Sequence, residues 1–455
     1  MQQLIVVGCQ SGDEGKGKFT DFFSENAYAI VRYQGGPHTG HTVVTEGGVQ
    51  RFVQLPSGIT RGSIGVLGNG CVVDPGKLIL EAEELGVELS PENLLISEVA
   101  AVVMPYHLLQ DELMESWRGD SVATHAHSGF SVGRGQLGST KQGVGPCRED
   151  KIARFGLRLV DLLDRVLLAE RLARIVPLKR AICEKVHGAG ADRLDSVFDL
   201  ERMIEEHYSY GQRLAPCLGD VPSFMAEARR QDRYVVFEGA QSLALDVEHG
   251  TYPYCSSGYS AAGGVTVGTG SPPGADFKVV GVSKAYMAQV GGGPLPTELD
   301  GETADHLVDR GREVGTVTGR RRRVGWLDLS FVRRSLDIDG IEHLCLTNLD
   351  VLAGLPEVKV ATHYEVDGER WHRYPAALGL AARVKPVYES FEGWPDQDWD
   401  EVARGGLEAL SEPARNYVEY VARELGVALA AVSIGRRRDQ TIMLKNPLET
   451  ATPAF

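Results

Sequence analysis

The chain has 455 residues, 43% of them hydrophobic and 24% charged, and a formal net charge of -15 at pH 7. That length supports a substantial core, as one large α/β unit or as two or three domains, while the acidity excludes a general binder of nucleic acid or of anionic membrane. Seven cysteines with no CxxC spacing fit reduced thiols, and the absence of a leader pattern or bilayer-length apolar run gives a cytoplasmic address as the expectation.

The first segment, QLIVVG, is an apolar run closed by glycine, which predicts a buried strand feeding a loop and a helix around Lys18–Ser24. AYAIVRY, IGVLGNGCVV and NLLISEVAAVVM repeat the buried-strand pattern, and GKLILEAEELGV and YHLLQDELMESW carry helical spacing. Asp120 to Leu137 is rich in small and polar residues and reads as an inserted loop. Leu159–Val186 and Leu200–Arg213 predict helices, within a helical subdomain over about 155–230. Strands return with RYVVFEGA, FKVVGVSKAYMAQV, IEHLCLTNLDVL and EVKVATHYEV; Tyr388–Trp399 reads as a surface loop and Glu412–Leu425 as a late helix. The fold class expected is α/β: a large, mostly parallel central sheet with helices on both faces, in a single domain over 1–455.

The loop after the first strand, VVGCQSGDEGKGKFTDFF, nearly spells a Walker phosphate loop. Gly12, Gly15 and Gly17 let backbone N–H groups approach phosphate oxygens, and Lys16 and Lys18 supply positive charge. Phe19 stands where a magnesium-binding hydroxyl belongs, while Asp13 and Glu14 place carboxylates in the cradle. Magnesium needs oxygen, so Asp13 is the natural substitute. An acid beside a transferring phosphate also serves as base toward the acceptor.

Other stretches have weaker individual signals. RYQGGPHTGHTVV carries His38 and His41, either of which can stabilise charge or donate a proton. Gln241, closing VFEGAQ, can both donate to and accept from a heterocycle edge, and Asp350 in CLTNLDVL can accept both N1–H and N2–H of guanine. In GTVTGRRRRVGWLD, Arg320 to Arg323 follow glycines and threonines and suit carboxylates or phosphates bidentately.

Taken in order, GDEGKGK, VRYQGG, LPSGI, GNGCVVDP, FEGAQ, HGTYPY, GPLPTEL, TGRRRR and LDVL resemble the adenylosuccinate synthetase family over nearly the whole chain. The resemblance implies a ligase joining L-aspartate to C6 of inosine monophosphate through a 6-phosphoryl intermediate, with GTP as co-substrate and magnesium as cofactor. It implies Asp13, His41, Lys16 and Gln241 as catalytic. It assigns Gly12, Asp13, Glu14, Gly15, Lys16, Gly17, Lys18, Gly40, His41, Thr42, Arg322, Asn348, Asp350, Ser433 and Gly435 to the GTP side, with Asp13 and the Gly40 carbonyl on magnesium. His38, Thr140, Arg154, Gln241, Ser256 and Arg320 fall to the monophosphate, and Thr316, Val317, Thr318, Arg320 and Arg322 lie against the aspartate. Arg154 would reach across a homodimer.

Six positions depart from the family's usual residues: Ser11 for Trp, His38 for Asn, Lys141-Gln142 for Gly-Arg, Asn348 for Lys and, mildly, Ser256 for Thr. They cluster at the two nucleotide sites and leave Asp13, His41, Gln241 and the arginines in place. The alternatives are therefore a guanylate or deoxyguanylate acceptor, giving 2-aminoadenylosuccinate, and a non-catalytic nucleotide-binding protein.

Overall fold

A computed structural model describes residues 3–45, 47–120, 137–314, 319 and 321–449. Nearly all of the inserted segment 120–137, and the site candidates Thr316, Val317, Thr318 and Arg320, lie outside those residues.

The first strand, Gln3–Gly8, is buried at every position and sits mid-sheet. It pairs in parallel with Phe277–Lys284 on one side and Val235–Ser242 on the other. Such burial explains why its sequence is continuously apolar rather than alternating. From one edge the 11-stranded sheet runs 441–443, 428–433, 343–347, 277–284, 3–8, 235–242, 29–35, 64–73, 94–97 and 218–219, with 101–102 beside 64–73. Among the described residues, only the edge strand Thr441–Met443 of this sheet is antiparallel. A second, five-stranded sheet combines 286–289, 323–328, 357–366, 369–371 and 385–392. The helices 105–120, 144–153, 165–181 and 200–214 lie between the strands 101–102 and 218–219 in the chain. Leu109, Leu159, Leu172 and Ile204 from this stretch share one core cluster with Leu67 and Ile96 of the sheet.

Three sequence readings are corrected. FKVVGVSKAYMAQV is not one strand: it divides at Ala285 into Phe277–Lys284 and Tyr286–Gln289, which belong to different sheets. Tyr388–Trp399 is not a surface loop, because Lys385–Glu392 pairs antiparallel with Glu357–Val366 and Trp394 is 1% exposed. Leu159–Val186 is a short 3-10 turn, a helix over Arg165–Ala181 and a π turn. Pro177 lies inside that helix.

The helix after the phosphate loop, Lys16–Phe23, explains why Phe19 occupies the hydroxyl position. Phe19 is fully buried with Val6, Val236 and Val280 of the sheet, and its ring stacks on Phe23 at 6.0 Å. Burying a phenylalanine contributes about 1.5–3 kcal/mol, so position 19 anchors the helix instead of holding a metal.

Asp339, ending the helix Leu329–Asp339, is 5% exposed. One carboxylate oxygen accepts from Ala262 N at 2.8 Å and the other has no hydrogen-bond partner among the described residues. Burial pushes its pKa up to about 7. A folded-state pKa above the unfolded value means the folded state binds the proton more tightly. The stabilisation from that proton is fully present below about pH 4 and is lost as pH rises through about 7. Asp339→Asn, a neutral isostere, is expected to raise the melting temperature at pH 8, corresponding to about 2–4 kcal/mol, with the gap closing below pH 5. Equal melting curves at both pH values would contradict this.

Candidate active site

The phosphate loop is held open by backbone conformation. Gly12 and Gly15 have φ of 102° and 97°, and Asp13 itself sits at φ 59°. Gly17 permits a close approach: a Cβ there would lie 2.8 Å from the His41 Cβ. Glu14 is fully buried and its carboxylate closes the loop, accepting from Gln10 N (3.1 Å), Gly12 N (2.9 Å), Ser242 Oγ (2.7 Å) and Lys16 Nζ (2.6 Å). Burial pushes the Glu14 pKa up, but Lys16 and these donors outweigh it, so the group stays below its usual range. Lys16 also donates to Ser242 Oγ at 2.9 Å. Lys18 reaches the far end, donating to Ser433 Oγ (2.8 Å), Gly435 O (3.0 Å) and Gln440 O (3.1 Å), and burial lowers its pKa to about 7.

His41 begins the hairpin strand His41–Thr45, and its Nδ1 lies 2.5 Å from Glu238 Oε1. Glu238, fully buried in the middle of the strand Val235–Ser242, also accepts from Arg32 Nε (3.0 Å), Ser57 N (2.9 Å) and Ser57 Oγ (2.6 Å). Burial lowers the His41 pKa, against which Glu238 pulls upward. With Nδ1 turned to Glu238, the other ring nitrogen is the one available to a ligand.

Asp13 pairs with Arg322, Oδ2 to Nη2 at 2.8 Å. Gln241 Nε2 donates to His38 Nε2 (2.9 Å) and Thr39 Oγ1 (3.1 Å), and His38 Nε2 lies 3.2 Å from Ser256 Oγ. Burial, with help from Arg148 and Arg32, lowers the His38 pKa to about 3, so this imidazole is neutral at physiological pH.

Two cavities meet at these residues. The smaller, about 380 Å³, is bordered by Lys18, Thr42, Arg322, Asn348, Ser433 and Gly435. The larger, about 850 Å³, is bordered by Ser11, His38, Thr140, Gln241 and Ser256. Asp13, Lys16, Gly40 and His41 border both. A group passing from one cavity to the other therefore crosses a carboxylate, an ammonium and an imidazole.

Not every candidate converges. Asp350 does not line the smaller cavity, although its Oδ1 is buried without a hydrogen-bond partner among the described residues and burial raises its pKa. Arg154 caps the helix Val144–Ala153 at φ 71° and is exposed outside both cavities. Gln142 is held by Lys77 Nζ at 2.6 Å, and Lys141 points to solvent. Sequence reasoning missed Glu238, Arg32 and Glu313 as parts of the site. The signal for Glu238 was a charge inside the otherwise apolar run RYVVFEGA.

For magnesium, the described residues contain no cluster of three or more His, Cys, Asp or Glu. One carboxylate with a backbone carbonyl nevertheless fits an ion that takes its remaining ligands from water and substrate phosphates. No helix of the described residues is long and apolar enough to cross a membrane.

The adenylosuccinate synthetase family profile matches residues 5–442. The chain is 43% identical to the adenylosuccinate synthetase of Streptococcus gordonii over 448 residues, covering 98% of this chain and 99% of that one. It is 42% identical to that of Bacillus cereus over 451 residues, covering 99% and 100%. The structure of fully ligated adenylosuccinate synthetase from Plasmodium falciparum superposes with a TM-score of 0.87 at 30% identity, covering 97% of this chain and 99% of that one. The cyanophage S-2L succinoaminodeoxyadenylate synthetase (PurZ), solved with dGMP and dATP, shares the fold at a TM-score of 0.57 and 19% identity, covering 98% and 96%. By sequence and by structure, the chain belongs to the adenylosuccinate synthetase family of ligases.

Proposed function

We propose that the chain joins L-aspartate to C6 of inosine monophosphate at the expense of GTP. The observation that carries this reading is the placement of Asp13, Lys16, Gly40 and His41 on the border of both cavities. GTP takes the smaller cavity, with its phosphates at the start of the helix Lys16–Phe23, and the purine monophosphate takes the larger one.

Asp13 removes the N1 proton, and O6, now nucleophilic, forms a bond to the γ-phosphorus as the bond to the β-phosphate oxygen breaks. His41 and Lys16 stabilise the charge that develops on the departing diphosphate. The aspartate amine then attacks C6, and phosphate leaves with the O6 oxygen. Gln241 orients the base edge, while His38, Thr140 and Ser256 serve the monophosphate. Magnesium, held by Asp13 and the Gly40 carbonyl, would supply charge neutralisation on the phosphates. Asn348, Asp350, Ser433 and Gly435 form the guanine end, Thr316–Thr318 and Arg320 the aspartate side, and Arg322 serves the triphosphate as well as the aspartate. We also propose that 1–455 acts as one domain, as a homodimer to which Arg154 contributes across the interface, in the cytoplasm.

A second reading has a guanylate as acceptor. It is favoured by Ser11, Ser139 and Thr140 on the wall of the larger cavity, where the small residue at 11 and the altered 139–142 loop would accommodate a 2-amino group. Phosphate release is to be followed with aspartate, magnesium and GTP, with inosine, guanosine or deoxyguanosine monophosphate as acceptor, and then with ATP in place of GTP. Turnover with inosine monophosphate and GTP is expected. Turnover with a guanylate alone would replace the first reading by the second, and no release with any acceptor would leave nucleotide binding without catalysis.

A further inference from the structure

Arg322 divides its guanidinium between two carboxylates: Nη2 on Asp13 Oδ2 and Nη1 on Glu313 Oε2, each at 2.8 Å. Glu313 is fully buried and also binds Lys284 Nζ, 2.5 Å from Oε1, and the Tyr286 hydroxyl, which donates to the same oxygen. Lys284 and Tyr286 are themselves 2% and 0% exposed and flank the point where the chain leaves the large sheet for the small one. Gln10 of the phosphate loop ties into the same joint, its Nε2 donating to Lys284 O (3.2 Å) and Tyr286 O (3.1 Å). The backbone repeats the connection, with Arg322 N donating to Glu313 O at 2.9 Å.

We infer that Glu313 is the positioning residue for Arg322: it holds one edge of the guanidinium so that the other is presented at the Asp13 end of the smaller cavity. The guanidinium is a rigid planar fork, so fixing one edge fixes the direction of the other. When ligands claim Asp13, the freed Nη2 stands ready for an incoming anion without reorganisation. Because Arg322 borders the smaller cavity, that anion is a phosphate of the triphosphate substrate. A carboxylate carrying two cations and a phenol is otherwise an expensive thing to bury, and the joint between the sheets would close as well with apolar side chains. The inference rests on the proposed reading of the two cavities.

The test uses the full-length protein with Glu313→Gln and, because loss of a buried charge can prevent folding, Tyr286→Phe, which removes one donor without changing charge. For Glu313→Gln the KM for GTP is expected to rise at least about tenfold, the scale of one charge-assisted hydrogen bond, with the KM for the purine monophosphate within about twofold. Tyr286→Phe is expected to move the same constant in the same direction, by about twofold to threefold. A rise confined to the KM for aspartate also supports positioning and reassigns the anion to the amino-acid carboxylate. Unchanged constants overturn the inference, as does a parallel rise in all three KM values with a lowered melting temperature, which is what a merely structural role produces. If Glu313→Gln does not fold, an unchanged KM for GTP in Tyr286→Phe overturns it. If the wild-type protein releases no phosphate with any acceptor, the functional reading fails separately. Calorimetric binding of magnesium and guanosine imidotriphosphate then decides for Glu313: weakening of at least about fivefold supports it, and equal affinity overturns it.

Discussion

Asp13→Asn is expected to lower phosphate release by at least about 10³-fold at saturating substrates while leaving the protein folded. General-base catalysis alone contributes about 10²–10⁴, and the same substitution removes the carboxylate proposed for magnesium. Asparagine is close in size and, like aspartate, tolerates positive φ, which matters at φ 59°. The Asp13 side chain is 30% exposed and Arg322 keeps its second pair, with Glu313 at 2.8 Å, so the substitution leaves no unpaired buried charge. The measurement is steady-state phosphate release together with a thermal melt. A variant retaining more than a tenth of the activity would show that another group takes the proton, and the border between the cavities would need a different reading.

Asp350→Asn is expected to lower kcat/KM with GTP by about 10²–10³-fold. Guanine offers two donors, N1–H and N2–H, to a carboxylate, and hydrogen bonds to charged groups are worth about 1.5–3 kcal/mol each. The buried Oδ1 of Asp350, without a partner among the described residues, is an acceptor suited to such a donor. Asparagine keeps one acceptor and adds an NH₂, which suits a base with a carbonyl at C2, so xanthosine triphosphate should gain as GTP loses. Because Asp350 stands back from the cavity lining while Asn348 borders it, the assignment is exposed to refutation. Equal activity of wild type and variant with GTP, and no gain with xanthosine triphosphate, would put the guanine reader elsewhere.

Much of the fold was legible because the central strands are buried on both faces. Continuous apolar runs such as QLIVVG and RYVVFEGA could hardly be anything else between glycine-bounded loops, and each is a strand of the large sheet. The errors came where one run serves two packings. Nothing local distinguishes Lys284 from Tyr286, yet the chain changes sheets between them. Tyr388–Trp399 reads as polar surface, but pairing with Glu357–Val366 turns its first part into a strand and burial takes Trp394 into the core.

The candidate site divides in the same way. Glycines at 12, 15 and 17, the lysines beside them, and the acid at 13 declare a phosphate cradle from sequence, because backbone approach and charge are local requirements. The sequence also carried the resemblance that named the ligase chemistry. It could not show what each charge is paired with. Glu14 was placed with the nucleotide, whereas the fold spends its carboxylate on the loop's own N–H groups and on Lys16. Glu238 sits 197 residues from His41 and Glu313 nine from Arg322, and neither partnership has a local signature. What the chain alone determined was the identity and local backbone requirements of the groups proposed to touch substrates. The tertiary structure decided how those groups are oriented and neutralised, because burial makes an unpaired charge too costly to leave, and its partner can come from any segment the fold brings alongside.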